Sequence, residues 1–353
     1  MRFIADLMFA KLSSRYQQLQ GGIVHDGFAF VQRSKKIRSI ISDRIASMDQ
    51  SEQLNHRAGF VAVIGHPNVG KSTLINALLG QKVAAVSPKP QTTRRNQLGI
   101  LTLDIAQIIF TDTPGLHEER NKLGELMNTE ALSALDDADA ILFVVTAETA
   151  PTQEDRVLAK RIYLSAKHPP TVVALNKVDR VEAEGLERRK EEYQQLLEAA
   201  QVVPISALSG RGLEELRAQL ITMLPEGPAY YPEDQVTDLY ERQIAANLIR
   251  ESALNNLHQE VPHGIAIRVD NFKERGDKGA LIEATLLVER ESHKAIVIGR
   301  GGEMIKKIGI DARAEIEKMS GRKVFLNLRV KTRKDWRDDE NVLERFGYGA
   351  KKN

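Results

Sequence analysis

Residues 65–72 read Gly65-His66-Pro67-Asn68-Val69-Gly70-Lys71-Ser72. They match the pattern G-x-x-x-x-G-K-[ST] and lie between an apolar run, Phe60–Ile64, and the helix-forming stretch that starts at Thr73. That setting decides the fold: a strand feeds a glycine turn, which opens a helix. The glycines let successive main-chain N–H groups turn inward as a nest for phosphate oxygens. The helix adds its positive N-terminal end. Lys71 then supplies a point charge for the β- and γ-phosphates, and the Ser72 hydroxyl supplies a ligand for Mg²⁺.

Outward from this turn, short apolar runs alternate with helical periods. Strands are expected at Phe60–Ile64, Ile105–Thr111, Ala140–Thr146, Thr171–Leu175 and Val202–Ile205. Helices are expected at Lys71–Leu79, Glu125–Leu135, Gln153–Lys167, Glu184–Ala199 and Leu213–Leu224. Strands almost continuous in Val, Ile and Ala, separated by helices, predict an α/β domain with a mostly parallel sheet covered on both faces.

The composition fits. The chain has 353 residues, 50 Lys+Arg against 48 Asp+Glu, and 42% hydrophobic residues. The length exceeds what one core usually supports, so two domains are expected. The charge balance excludes a wholly basic or wholly acidic chain. Without cysteine there are no disulfides or thiolate metal sites, as suits a reducing compartment. No run reaches the ~18–20 apolar residues of a membrane span, and the chain reads as soluble.

Two more apolar strands end in polar signatures. Phe110-Thr-Asp112-Thr113-Pro114-Gly115 places Asp112 at the carboxyl edge of the sheet, where ligands of open α/β folds bind. There a carboxylate can hold the Mg²⁺ shell and the Gly115 N–H can meet a γ-phosphate. Leu175-Asn176-Lys177-Val178-Asp179 ends the next. An Asp179 carboxylate accepting from guanine N1–H and N2–H₂ selects guanine over adenine, which lacks that donor pair. Asn176 braces the loops, the Lys177 stem lies against the base, and the Ser206-Ala207-Leu208 turn offers an N–H to guanine O6.

The order of these motifs, each at a strand's carboxyl edge, resembles the GTPase superfamily across about residues 58–224. That likeness implies GTP/GDP and Mg²⁺ as ligands, and Lys71, Thr93 and Gly115 as the residues acting on the γ-phosphate. Mg²⁺ would be shared by Ser72, Asp112 and a switch threonine, either Thr93 or its neighbour Thr92. Where Ras-like relatives carry a water-orienting Gln after the glycine, this chain has Leu116, which cannot polarise water. Slow intrinsic turnover is expected. Asn68 lies where potassium-stimulated relatives carry an asparagine, so K⁺ beside the phosphates is a further expectation.

A three-proline stretch, Pro225–Asp234, is expected to be a linker. Beyond it the order is helix (Asp238–Leu257), strand (Gly264–Val269), strand (Leu281–Arg290), helix (Glu303–Lys318), strand (Lys323–Val330) and helix (Asp335–Phe346), a small α+β domain. Gly299-Arg300-Gly301-Gly302 precedes an amphipathic helix whose Ile305, Ile308, Ala312 and Ile316 share one face. This is the G-x-x-G turn of a KH module, which clamps about four single-stranded nucleotides. From Lys294 to Lys334 there are twelve Lys/Arg and four acids, a basic stripe suited to phosphates. Arg300, Lys306 and Lys307 join the glycines as candidate RNA contacts. These residues do not distinguish RNA from DNA. Trp336 is read as packing the final helix, with base stacking the alternative.

Together the two halves, with Gln91-Thr-Thr-Arg94 and Lys334-Asp-Trp-Arg-Asp-Asp339, resemble the Era-type ribosome-assembly GTPases. The resemblance implies a P-loop NTPase domain followed by a type II KH domain. It also implies binding near the 3′ end of 16S rRNA in the small (30S) subunit, no DNA partner, and a cytoplasmic place with peripheral membrane contact. We divide the chain into an extension (1–57), a GTPase domain (58–224), a linker (225–236), a KH domain (237–347) and a tail (348–353). The extension carries eight Lys/Arg and three acids up to Ser47. It reads as poorly ordered or as an upstream start with Met48 the working initiator; a targeting segment and an RNA-touching arm are the alternatives. The runner-up function is an RNA-binding assembly scaffold for which GTP is a structural ligand. A tRNA-modifying or membrane-signalling GTPase lacks supporting motifs.

Overall fold

The computed structural model describes residues 56–87, 89, 92–115, 121–165, 167–239, 241–274, 279–346 and 348. Leu116, Gln91, Gly347, most of the expected extension and all of the tail but Tyr348 lie outside the described residues.

The first half is a six-stranded sheet in the order β2-β3-β1-β4-β5-β6. Its strands are β1 (Arg57–Ile64), β2 (Gln97–Leu103), β3 (Ala106–Asp112), β4 (Ala140–Thr146), β5 (Thr171–Asn176) and β6 (Gln201–Pro204). All pair in parallel except β2, which runs antiparallel to β3 with Gln97 opposite Asp112. Helices α1 (Lys71–Leu79), α2 (Lys122–Asp137), α3 (Gln153–Tyr163), α4 (Ala183–Leu196) and α5 (Leu213–Met223) flank it. One apolar cluster joins Val61, Phe110 and Val144 to Leu74 and Leu216; another joins Ile64, Phe143 and Leu175 to Leu135, Leu158 and Tyr193. Burying alternate residues on both faces makes β4, Ala-Ile-Leu-Phe-Val-Val-Thr, wholly buried. The α/β expectation holds.

Strand β2 was not anticipated. Its sequence, Gln-Leu-Gly-Ile-Leu-Thr-Leu, lacks a clean alternation. Its glycine is there for packing: a Cβ at Gly99 would come within 2.9 Å of Leu79 Cδ1 on α1. Helix α3 also stops at Tyr163, short of the expected Lys167.

The proline-rich stretch lies along the sheet. Gln107 Oε1 accepts from the N–H groups of Tyr230 (2.7 Å) and Tyr231 (2.9 Å), and Tyr230 meets Phe60 edge to face. Thr237 Oγ1 donates to Leu98 O, and the Ile100 N–H donates to Val236 O. Edge strand β2 is thus covered rather than left open.

The second half carries α6 (Glu241–Asn256), β7 (Ala266–Glu274), β8 (Ala280–Val288), α7 (Glu291–Ile298), α8 (Glu303–Ser320), β9 (Val324–Thr332) and α9 (Glu340–Arg345). Its sheet has the order β7-β8-β9, with β7–β8 antiparallel and β8–β9 parallel. A parallel β8–β9 pair needs a crossover, supplied by α7, the G-x-x-G turn and α8. Helix α7 corrects the sequence reading, which ran a strand on to Arg290 and left the next eight residues unassigned. Only Val297 of α7 is buried, so it has no periodic apolar face to read. Trp336 packs with Val342 and Leu343 and donates from Nε1 to Gly264 O at 3.0 Å. It is a core residue here, not a base platform.

Candidate nucleotide and RNA sites

The phosphate turn is built where only glycine fits. Gly65 has φ +151° and Gly70 has φ +103°; a Cβ would lie 2.2 Å from Val144 O at the first and 2.4 Å from Asn176 Nδ2 at the second. Asn68 also takes a positive φ, 66°. Helix α1 begins at Lys71 with no side-chain cap, so its first N–H groups are left for a ligand. Lys71 is buried; its Nζ donates to Gly65 O (2.9 Å) and His66 O (3.2 Å). Burial lowers its pKa to about 8 against the pull of nearby Asp112.

Three oxygens meet at the head of α1. Ser72 Oγ donates to Asp112 Oδ2 at 2.9 Å, Thr93 Oγ1 donates to the same oxygen at 3.0 Å, and the two hydroxyls are 3.1 Å apart. The other carboxylate oxygen, Asp112 Oδ1, is buried with no hydrogen-bond partner among the described residues. Burial raises the Asp112 pKa, opposed by Lys71 and the two hydroxyls. A carboxylate and two hydroxyls, one oxygen still unengaged, are the donor set of a hard, oxygen-seeking divalent cation. Thr92 turns away: its hydroxyl donates to Lys89 O at 2.7 Å and its carbonyl accepts from Arg250. Of the two threonines, Thr93 faces the cluster.

The open cleft at this point is lined by Asn68, Lys71, Ser72, Lys89, Thr93 and Gly115, among others. A Cβ on Gly115 would lie 2.9 Å from Pro67 N, so the Asp112–Gly115 turn touches the phosphate turn. Thr113 Oγ1 anchors that turn to Val63 O at 2.7 Å. Pro114 joins it, and Val69 is wholly buried beneath the cradle.

Asn176 ties the two ends of the site together. Its Nδ2 donates to Val69 O at 2.8 Å and its Oδ1 accepts from the Ala207 N–H at 2.9 Å, both buried. Lys177 adopts φ 67° and opens a 3₁₀ turn over Val178–Arg180. Asp179 stays exposed, its pKa lowered first by a hydrogen bond from the Ser206 hydroxyl. Ala207 is buried and Leu208 is 79% exposed beside it. Sequence reasoning missed Glu148, which accepts from Lys177 Nζ at 2.6 Å and Arg180 at 3.1 Å. Those hydrogen bonds, Lys177 first, take its pKa down to about 2. Its signal was positional: it follows β4 at the same carboxyl edge as the other site loops.

In the second half, Gly299, Gly301 and Gly302 have φ of 75°, 60° and 84°. A Cβ at Gly299 would meet Met304 Cβ at 2.7 Å, whereas Gly301 and Gly302 face open space. Gly302 caps α8 without a side chain, so main-chain N–H groups point outward next to exposed Arg300, Lys306 and Lys307.

The halves meet at the loop before β2. Arg94 is buried and donates to Ile265 O (2.8 Å) and His263 O (3.0 Å), 5.9 Å from the Trp336 ring centroid. Lys82 Nζ bridges Glu251 (2.8 Å) and Glu315 (2.7 Å). On the other side the Leu123 N–H donates to Arg337 O, and Leu123 and Met127 of α2 pack on Trp336 and Leu343. The loop before β2 and the helix α2 are therefore both bonded to the second half.

Among the described residues no helix is long and apolar enough to cross a membrane.

Known proteins share this arrangement. A family model described as "50S ribosome-binding GTPase" matches residues 60–177, and one described as "KH domain" matches residues 260–337. GTPase Era of Thermoanaerobacter sp. (strain X514) is 44% identical over 300 residues, covering 85% of this chain and 99% of the relative. GTPase Era of Halothermothrix orenii is 46% identical over 295 residues, covering 84% and 99%. A solved structure of Era in complex with MgGDPNP and nucleotides 1506–1542 of 16S ribosomal RNA is similar at TM-score 0.79 and 39% identity, covering 83% of this chain and 99% of that one. An Aquifex aeolicus Era variant bound to GDP·AlF₄⁻ is similar to the same degree.

Proposed function

The chain belongs to the Era family of GTPases, and from that membership we propose that it binds and hydrolyses GTP with Mg²⁺ and binds 16S rRNA in assembly of the small ribosomal subunit. The observation that carries this reading is the meeting of Ser72, Thr93 and Asp112 at the head of the phosphate turn. Ser72 and Thr93 would hold Mg²⁺ directly and Asp112 would hold its shell. When bound, Mg²⁺ would supply positive charge that offsets the charge developing on the phosphates.

The chain's own groups do the rest. Lys71 exchanges its contacts with Gly65 O and His66 O for phosphate oxygens. Gly115, which packs against Pro67, would offer its N–H to the γ-phosphate. Asp179, held by Ser206, reads guanine. With Leu116 in place of a water-orienting Gln, turnover rests on positioning and charge, and is slow without a partner. K⁺ held near Asn68 would add charge; hydrolysis rates in KCl and NaCl test this, and equal rates discard it.

On the RNA side, Gly299–Gly302, Lys306 and Lys307 clamp single-stranded 16S rRNA near its 3′ end. Arg250 holds the carbonyl of Thr92, next to Thr93, so γ-phosphate loss at Thr93 reaches the KH half through one residue. Its place is the cytoplasm, with peripheral contact at the inner face of the cell membrane; fractionation of cells tests that contact.

The deciding experiment measures GTP against ATP affinity by calorimetry with Mg²⁺, and phosphate release with and without 30S subunits. A guanine preference and subunit-stimulated release are expected. No preference would sink the reading. Binding without release in either condition would favour the scaffold reading.

A further inference from the structure

We propose that Lys89 is a further catalytic residue: its ammonium binds the terminal phosphate of GTP and stabilises the charge there during hydrolysis. This rests on the GTPase reading above and adds a residue to it. Lys89 stands in the loop between α1 and β2 and lines the same cleft as Lys71, Ser72 and Thr93. The residue as a whole is only partly buried, but its Nζ has little solvent contact and no hydrogen-bond partner among the described residues. An ammonium out of water without an acceptor is costly, so such a group marks a missing anion.

Among the described residues no anion is bonded to it. The carbonyls of His263 and Ile265, at the facing edge of the KH half, already accept from Arg94. Glu289 is held by Arg337. Glu260, on the same turn, is solvent-exposed. Burial first lowers the His263 pKa; Glu260 raises it, while Arg94, Arg337 and Lys89 lower it further, so cations outnumber the one acid on this side of Lys89. The phosphate end of the cleft is the complementary side. A second cation at the cleft that Lys71 lines also answers the absence of a water-orienting Gln: charge stabilisation supplies what water alignment does not.

The main chain of Lys89 has a separate task. Its carbonyl accepts from Thr92 Oγ1 at 2.7 Å and its N–H donates to Ser87 Oγ at 3.3 Å. A side-chain substitution leaves both bonds in place, which separates charge from loop shape.

The test compares wild type, Lys89→Met and Lys89→Arg in full-length protein with Mg²⁺. GTP and GDP affinities are measured by calorimetry, single-turnover hydrolysis by quench, and folding by thermal unfolding. Lys89→Met is expected to lose about 10–100-fold in GTP affinity or in single-turnover rate, the weight of one charge-assisted hydrogen bond. GDP affinity should hold, and the unfolding temperature of nucleotide-free protein should not fall, because the variant removes an unpaired ammonium. Lys89→Arg, which keeps the charge, should restore most of the loss. An unchanged GTP-to-GDP ratio together with an unchanged rate overturns the proposal. So does an equal loss for GTP and GDP, which would make Lys89 a scaffold of the loop. A wild-type protein that does not distinguish GTP from ATP is a different result: it removes the GTPase reading itself.

Discussion

Replacing Asn176 by alanine tests whether one side chain couples the base loops to the phosphate turn. Asn176 is 2% exposed, and its amide bonds two buried main-chain groups, the Val69 carbonyl and the Ala207 N–H. Each buried polar group left without a partner costs about 1–3 kcal/mol, so the pair costs roughly 2–6 kcal/mol. For a domain of this size each kcal/mol moves the melting temperature by about 2–4 °C, so a midpoint loss of roughly 4 kcal/mol lowers it by about 8–16 °C. Thermal unfolding of nucleotide-free protein reads this, and GTP calorimetry reads the accompanying loss of affinity. Asn176→Asp sharpens the test. It keeps the shape and the acceptor for Ala207 but sets a carboxylate oxygen against Val69 O, where the native contact is 2.8 Å. At neutral pH it should be at least as damaging as alanine. A melting temperature within about 2 °C of wild type for the alanine variant, or a benign Asn176→Asp, would refute the brace.

Three further outcomes are expected. Gly301→Asp places a side chain at φ 60° and a negative charge where the RNA backbone approaches; binding of a 16S 3′-terminal fragment in a gel shift should vanish while GTP affinity is kept. Asp179→Asn replaces an acceptor-only carboxylate by an amide that also donates; GTP affinity should fall while the unfolding temperature holds, and retained tight GTP selectivity would mean guanine is read elsewhere. Lys71 gives a pH dependence. Its ordinary pKa of 10.5 falls to about 8 in the fold, so between those values the unfolded chain binds more protons and nucleotide-free stability rises with pH. GTP affinity should fall over the same window as the ammonium is lost. Unfolding temperatures of wild type and Lys71→Met across pH 8–10.5 isolate the effect; identical slopes would contradict it.

Much of the site was legible because each signature is local. Gly65, Gly70 and Lys71 need only a strand, a turn and a helix start, and those are written in a dozen adjacent residues. The same holds for Asp112, for Asn176–Asp179, and for Gly299–Gly302 with the face Ile308, Ala312 and Ile316 behind it. Elements without a periodic face were missed. Strand β2 is held by pairing with β3 and by the stretch ending at Asp238, and α7 buries only Val297. Glu148 lies 29 residues from Lys177 in sequence, so no window contains the pair.

The amino-acid order alone determined the donor sets: a glycine turn with a lysine after it, carboxylates at strand ends, and a second glycine turn opening an amphipathic helix. Tertiary structure decided direction. Thr92 and Thr93 are adjacent and chemically alike, yet one hydroxyl reaches Asp112 and the other turns to Lys89 O, with Arg250 of the distant half holding the carbonyl between them. Tertiary structure also set Arg94 into the KH edge and brought Lys89 to the lining of the phosphate cleft. The reason is physical: residue type fixes what a group can bond to, while the partner it meets depends on side-chain rotation and on chain more than a hundred residues away.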